Sequence, residues 1–194
     1  DGGLADDDPL TENDQSPVPH LVHRYPDRVL FLVANQCAVY CRHCMRKRAV
    51  GVRHAISREA VDRGIDYIRS VPAVKEVILS GGDPLLIGDD RLEEILERLH
   101  RIDHVELLRI HTRIPCVLPQ RISERLSAML RRYHPLYINI QFNHPDELTS
   151  AARSACAMLA DAGIPLGSQT FLLKGVTDRA EVMMDLMRKL LSAR

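Results

Sequence analysis

The strongest constraint in this chain is a rhythm. A short apolar run is followed by a segment with apolar residues three or four apart, and the pair repeats five times at a spacing of about 30 residues. The runs fall at 29–34, 77–79, 105–110, 136–142 and 166–173. Between them, Val61, Ile65 and Ile68 follow helical spacing, as do Leu92, Ile95, Leu96 and Leu99, and then Ile122, Leu126, Met129 and Leu130. A fourth helical stripe holds Leu148, Ala152, Ala155, Cys156 and Leu159, with Gly163 placed to end it. Asp178 with Glu181 three residues later reads as a capping pair that opens a fifth helix. The run at 29–34 is continuous, as in a strand buried on both faces. Such alternation predicts an α/β fold with a parallel sheet covered by helices, either doubly wound or barrel-like.

In both architectures ligands bind at the carboxyl ends of the strands. The polar and glycine-rich clusters stand at those places: 35–48, then Ser80-Gly81-Gly82-Asp83, His111-Thr112-Arg113, Asn143-His144 and Lys174-Gly175. Residues 1–28 hold Pro9, Pro17, Pro19 and Pro26 without sustained periodicity, and read as an N-terminal extended segment lying over the repeat at 29–194. There is no initiator Met, and the last residue directly follows a helical pattern, so the chain reads as a piece of a longer protein, cut at its C-terminal side.

Lys plus Arg and Asp plus Glu both number 26, so the formal net charge is zero. That argues against a nucleic-acid partner, which usually demands a basic surplus, and suits a small-molecule substrate. No apolar run is long enough for a membrane span, and no signal sequence is apparent. The five cysteines are odd in number and three of them crowd together, as Cys37-Ala38-Val39-Tyr40-Cys41-Arg42-His43-Cys44. This argues against a disulfide framework, and free thiols are consistent with a reducing cytoplasm. Cys116 and Cys156 read as small core residues.

Three thiolates in one loop suit zinc or an iron–sulfur cluster. His43 and His54 could complete a Cys3His zinc site in a non-enzymatic metal-binding module. On a cubic 4Fe–4S cluster, three thiolates leave one iron open to a small molecule. The C-x3-C-x2-C spacing at the end of the first strand resembles the radical S-adenosylmethionine superfamily. The Ser80–Asp83 segment is similar to the glycine-rich strand that meets S-adenosylmethionine there. The resemblance implies a partial (β/α) TIM-like barrel of that type, with five β/α units present.

Longer stretches narrow it. They are Asp8-Pro9-Leu10, Ser16-Pro17-Val18-Pro19, the run from His23 to Leu30, Tyr40-Cys41-Arg42-His43-Cys44, Leu118-Pro119-Gln120-Arg121, Phe142-Asn143-His144-Pro145 and Leu172-Leu173-Lys174-Gly175-Val176. Together they resemble the lysine 2,3-aminomutase family, isomerases that use a 4Fe–4S cluster, S-adenosyl-L-methionine and pyridoxal 5'-phosphate to move an amino group between C2 and C3 of an amino acid. The resemblance implies that Cys37, Cys41 and Cys44 hold the cluster. It implies that His43, Ser80, Gly81, Gly82, Asp83 and Gln169 lie near S-adenosylmethionine, and Arg24, Tyr25 and Arg28 near pyridoxal phosphate. Arg46 would bind the substrate carboxylate, and Asp8 with Arg42 would form a supporting ion pair. A reductase, flavodoxin or ferredoxin would supply electrons, and a homo-oligomer is open. Nothing here matches the family's pyridoxal-binding lysine. Gln141 and Ser168 stand where lysine-using members tend to have His and Asn, so the amino acid is open. A radical S-adenosylmethionine enzyme without pyridoxal phosphate is the other enzymatic reading.

Overall fold

The computed structural model describes residues 8–193. Six strands form one open sheet in strict chain order: β1 (Leu21–Tyr25), β2 (Arg28–Ala34), β3 (Glu76–Gly81), β4 (Leu107–Thr112), β5 (Leu136–Gln141) and β6 (Leu166–Gln169). β2 through β6 are parallel, and β1 pairs antiparallel on the edge of β2. The helices are α1 (Arg58–Ser70), α2 (Asp89–His100), the short α3 (Ile114–Val117), α4 (Glu124–Arg131), α5 (Ser150–Asp161) and α6 (Ala180–Leu191).

The order never reverses. Crossovers of one hand that always step the same way put every helix on one side of the sheet. That leaves a concave face open and makes the fold a partial barrel rather than a doubly wound sheet. Strand alternation then divides the residues between two faces. Phe31, Leu79, Ile110 and Ile138 lie in register on the helix side and are fully buried. On the concave side, Leu30 is in register with Ile78, Arg109 and Tyr137, and these positions are only partly covered. The expectation that 29–34 is buried on both faces is therefore corrected. Leu30 and Leu32 face the concavity and are half-buried.

Each stripe seen in the sequence packs as its spacing requires. α1 buries Val61, Ile65 and Ile68, and Gly64 lets it approach closely: a Cβ there would lie 2.3 Å from the Phe31 ring. Ser57, Ser123 and Thr149 cap α1, α4 and α5 through side-chain oxygens. Gly163, at φ +84, follows Ala162, the C-cap residue of α5. The capping pair expected at Asp178 is not formed. Its carboxylate instead accepts from Gly175 N–H at 2.8 Å, closing a turn, and α6 begins at Ala180 with Arg179 at the N-cap position and no side-chain cap. The N-terminal segment also does more than lie over the repeat, since Leu21–Tyr25 joins the sheet. No helix among the described residues is long and apolar enough to cross a membrane.

Candidate functional site

A cleft of about 530 Å³ opens at the carboxyl ends of the strands, on the concave side. Its wall brings together Cys37, Cys41, Cys44, His43, Arg46, Ser80, Gly81, Gly82, Asp83, Gln169 and Tyr25. A smaller cavity of about 210 Å³ is lined by Arg24 and Arg28, and the two share Leu10, Tyr25, Leu30 and Arg46.

The three cysteines lie in the long loop from β2 to α1. Asn35 and Gln36 staple its two legs: Asn35 Nδ2 donates to His54 O at 2.6 Å and Gln36 Nε2 to Val52 O at 2.7 Å. The loop is also pinned to the end of β3, where Gly82 N–H donates to Ala34 O at 2.6 Å and Asp83 N–H to Gln36 O at 2.8 Å. This approach requires the two glycines. A Cβ on Gly81 would lie 2.1 Å from Ala34 O, and one on Gly82 would lie 2.3 Å from Gln36 O.

All five cysteines are free. Burial pushes the Cys37 thiol up to about 12, and the Asp83 carboxylate and the other two loop cysteines add to it. Among the described residues, no three His, Cys, Asp or Glu side chains converge on a point that could hold a single ion. The three thiols lie on one wall of the cleft.

Asp83 is buried and its carboxylate is engaged. Oδ1 accepts from Thr112 Oγ1 at 2.7 Å and from Leu85 N–H at 3.1 Å, and Oδ2 accepts from Arg113 N–H at 2.7 Å. It ties the end of β3 to the end of β4. Burial raises its pKa, against the pull of those hydrogen bonds. His43 is held between Phe171, at 4.7 Å between ring centroids, and the amides of Gln141 (2.9 Å) and Asn143 (3.4 Å), both on its Nε2. Two donors on Nε2 make it the acceptor, so Nδ1 carries the proton. Burial lowers the His43 pKa, helped by the Arg113 charge, and favours this neutral form.

Arg46 is held by a buried carboxylate that sequence reading missed. Glu12 accepts from its Nε at 3.0 Å and its Nη2 at 2.7 Å. That occupies one edge of the guanidinium and leaves Nη1 for another acceptor. Asp8 pairs with Arg48 at 2.7 Å, which corrects the expected Asp8–Arg42 pair. Asp8 and Glu12 lie about one turn apart, with Thr11 N–H bonded to Asp8 O, so both carboxylates meet the Arg46–Arg48 turn, while Arg42 is exposed. Arg28 is bonded to Glu76 at 2.7 Å and lies 5.6 Å from the Tyr25 ring.

The sequence profile of the radical SAM superfamily matches residues 31–187. The chain is 52% identical over 189 residues to an L-lysine 2,3-aminomutase from Clostridium subterminale, covering 97% of this chain and 45% of that protein. It is 47% identical over 189 residues to an L-lysine 2,3-aminomutase from Bacillus subtilis, covering 97% of this chain and 40% of that protein. It is 44% identical over 188 residues to a glutamate 2,3-aminomutase from Clostridioides difficile, covering 96% and 44% respectively. The chain thus spans a little under half the length of these relatives.

Proposed function

The chain belongs to the radical SAM superfamily, a membership that implies S-adenosylmethionine and an iron–sulfur cluster, and on that premise we propose that it forms the radical-generating part of an amino acid 2,3-aminomutase. The observation that carries the proposal is the single cleft. Residues matched from distant parts of the sequence, from Tyr25 through the cysteines to Gln169, line it together.

When bound, the cluster, S-adenosylmethionine and pyridoxal phosphate supply the radical and electron-sink chemistry of the amino shift. The chain's own residues hold and orient. Cys37, Cys41 and Cys44 give three thiolate corners, and Arg113 donates from Nη1 to Cys41 Sγ, a match for electron-rich sulfur. Gly81 and Gly82 bring backbone to the wall of the cleft, Ser80 and Gln169 offer polar contacts, and Asp83 fixes the strand ends around them. Nδ1–H of His43 faces a direction set by its amide partners. Arg46, braced by Glu12, offers Nη1 to a substrate carboxylate. Arg24, Tyr25 and Arg28 line the smaller cavity, where the two guanidiniums would serve the phosphate of pyridoxal phosphate. The substrate is an L-α-amino acid of the lysine or glutamate kind, converted to its β-amino isomer. On the family resemblance, Gln141 and Ser168 are the positions at which the choice would depart from lysine.

The test is to incubate the anaerobically reconstituted full-length protein with S-adenosylmethionine, pyridoxal phosphate, reductant and either L-lysine or L-glutamate. Mass spectrometry should detect a β-amino acid that depends on all three additions. Deoxyadenosine release without any β-amino acid, or a product formed without pyridoxal phosphate, would overturn the proposal.

A further inference from the structure

Arg113 follows β4 directly, and its position is set by the ends of three strands. Its backbone N–H donates to Asp83 Oδ2 at 2.7 Å, and Nη2 donates to Glu147 Oε1 at 2.7 Å. Glu147 is itself fixed, because its Oε2 accepts from Asn143 N–H at 2.6 Å. Asn143 Oδ1 in turn accepts from Phe171 N–H at 3.0 Å, beyond β6. So held, Arg113 donates from Nη1 to Cys41 Sγ at 2.8 Å. The side chain is 18% exposed, which places this bond in a region of low dielectric.

A guanidinium stays charged at every working pH and can only donate. Cys41 is one of the three thiolates proposed to carry the cluster. Adding an electron to a cluster increases the negative charge on its thiolate sulfurs. A fixed N–H donor and positive charge at one of them stabilise the reduced form more than the oxidised form. Glu147, bonded to the far side of the same guanidinium, opposes that effect.

We infer that Arg113 tunes the reduction potential of the cluster through its hydrogen bond to the Cys41 sulfur, with Glu147 as the counterweight. Arg113 is thus a positioning residue for electron entry, an inference that rests on the cluster reading above. The full-length protein and its variants are reconstituted anaerobically, assayed for iron and sulfide, and titrated against potential while the reduced cluster is followed by electron paramagnetic resonance. In Arg113→Gln the ratio of reduced to oxidised cluster at a set potential should fall about tenfold, a shift of about 59 mV downward for one electron. Arg113→Lys, which keeps charge and a donor, should fall less. Glu147→Gln, whose one amide oxygen can still accept from Arg113 Nη2 while the counter-charge is removed, should shift upward. Loaded Arg113→Gln and Glu147→Gln with unchanged potentials overturn the inference. If Arg113→Gln loads no cluster, Glu147→Gln decides alone, and no upward shift there overturns it. A wild-type protein that takes up no iron and sulfide overturns the cluster reading and this inference together, whereas unchanged potentials in loaded variants overturn only the inference.

Discussion

Replacing three glycines by alanine, one at a time, separates backbone strain from contact and tests whether the end of β3 clamps the cysteine loop. Gly175 has φ +74 and open space around it, so Gly175→Ala pays conformational strain alone, roughly 1–2 kcal/mol. Gly82 has an ordinary φ, but its Cβ would lie 2.3 Å from Gln36 O and 2.7 Å from Gln36 N. Those are backbone atoms and cannot rotate aside. The resulting displacement costs roughly 1–3 kcal/mol, and losing the Asp83 N–H bond to Gln36 O adds about 1 kcal/mol. Gly81 combines φ +116 with a Cβ 2.1 Å from Ala34 O, so roughly 4 kcal/mol is expected there. Urea denaturation of the metal-free protein should rank the losses Gly175→Ala, Gly82→Ala, Gly81→Ala. Iron uptake supplies the second readout. Cys37 follows Gln36 directly, so the substitutions at 81 and 82 should lower iron per chain, and the one at 175 should not. If Gly82→Ala matches Gly175→Ala in both assays, β3 does not hold the loop as described.

Glu12→Gln leaves Arg46 with a neutral partner in a buried setting. The expected loss is roughly 2 kcal/mol, or about 4–8 °C in a melting experiment on a chain of this size, with weaker binding of the amino acid in the full-length enzyme; wild-type values of both would refute the bracing role. His111 accepts from Asn139 at 3.2 Å, and burial, with the Arg109 and Arg46 charges, pushes its pKa down to about 4. The unfolded chain then binds a proton that the folded chain does not between about pH 6.5 and 4, so this contribution to stability is complete above that window and is lost as pH falls through it. Urea midpoints measured across the window should fall less steeply in His111→Gln, and an unchanged slope would remove His111 from the account.

The repeat was legible because apolar spacing reports burial, and the helix-side stripes at Val61, Ile65 and Ile68 and at Leu92 to Leu99 pack as read. The concave face was not, because an apolar run such as 29–34 looks alike whether its second face meets helices or an open cleft. The contest for Asp178 was decided by a turn around Gly175 that spacing alone does not weigh against a helix cap. The cleft was legible where residue type dictates chemistry, as with the cysteines and the Gly81-Gly82 pair. Arg113 and Glu12 were missed as site residues because each works through a partner far along the chain, Cys41 and Arg46 respectively. The one hint for Arg113 was its place in a polar triplet directly after a strand. Glu12 gave none, since an acidic residue among prolines ordinarily faces water.

Cys37, Cys41 and Cys44 are proposed to hold a cluster with one iron open to S-adenosylmethionine. The direct measurement is electron paramagnetic resonance of the anaerobically reconstituted, reduced protein, with and without S-adenosylmethionine. A cluster signal whose shape changes when S-adenosylmethionine is added, and which disappears when the three cysteines are replaced by alanine, is the predicted result. A signal indifferent to S-adenosylmethionine, or one that survives loss of those cysteines, would contradict it.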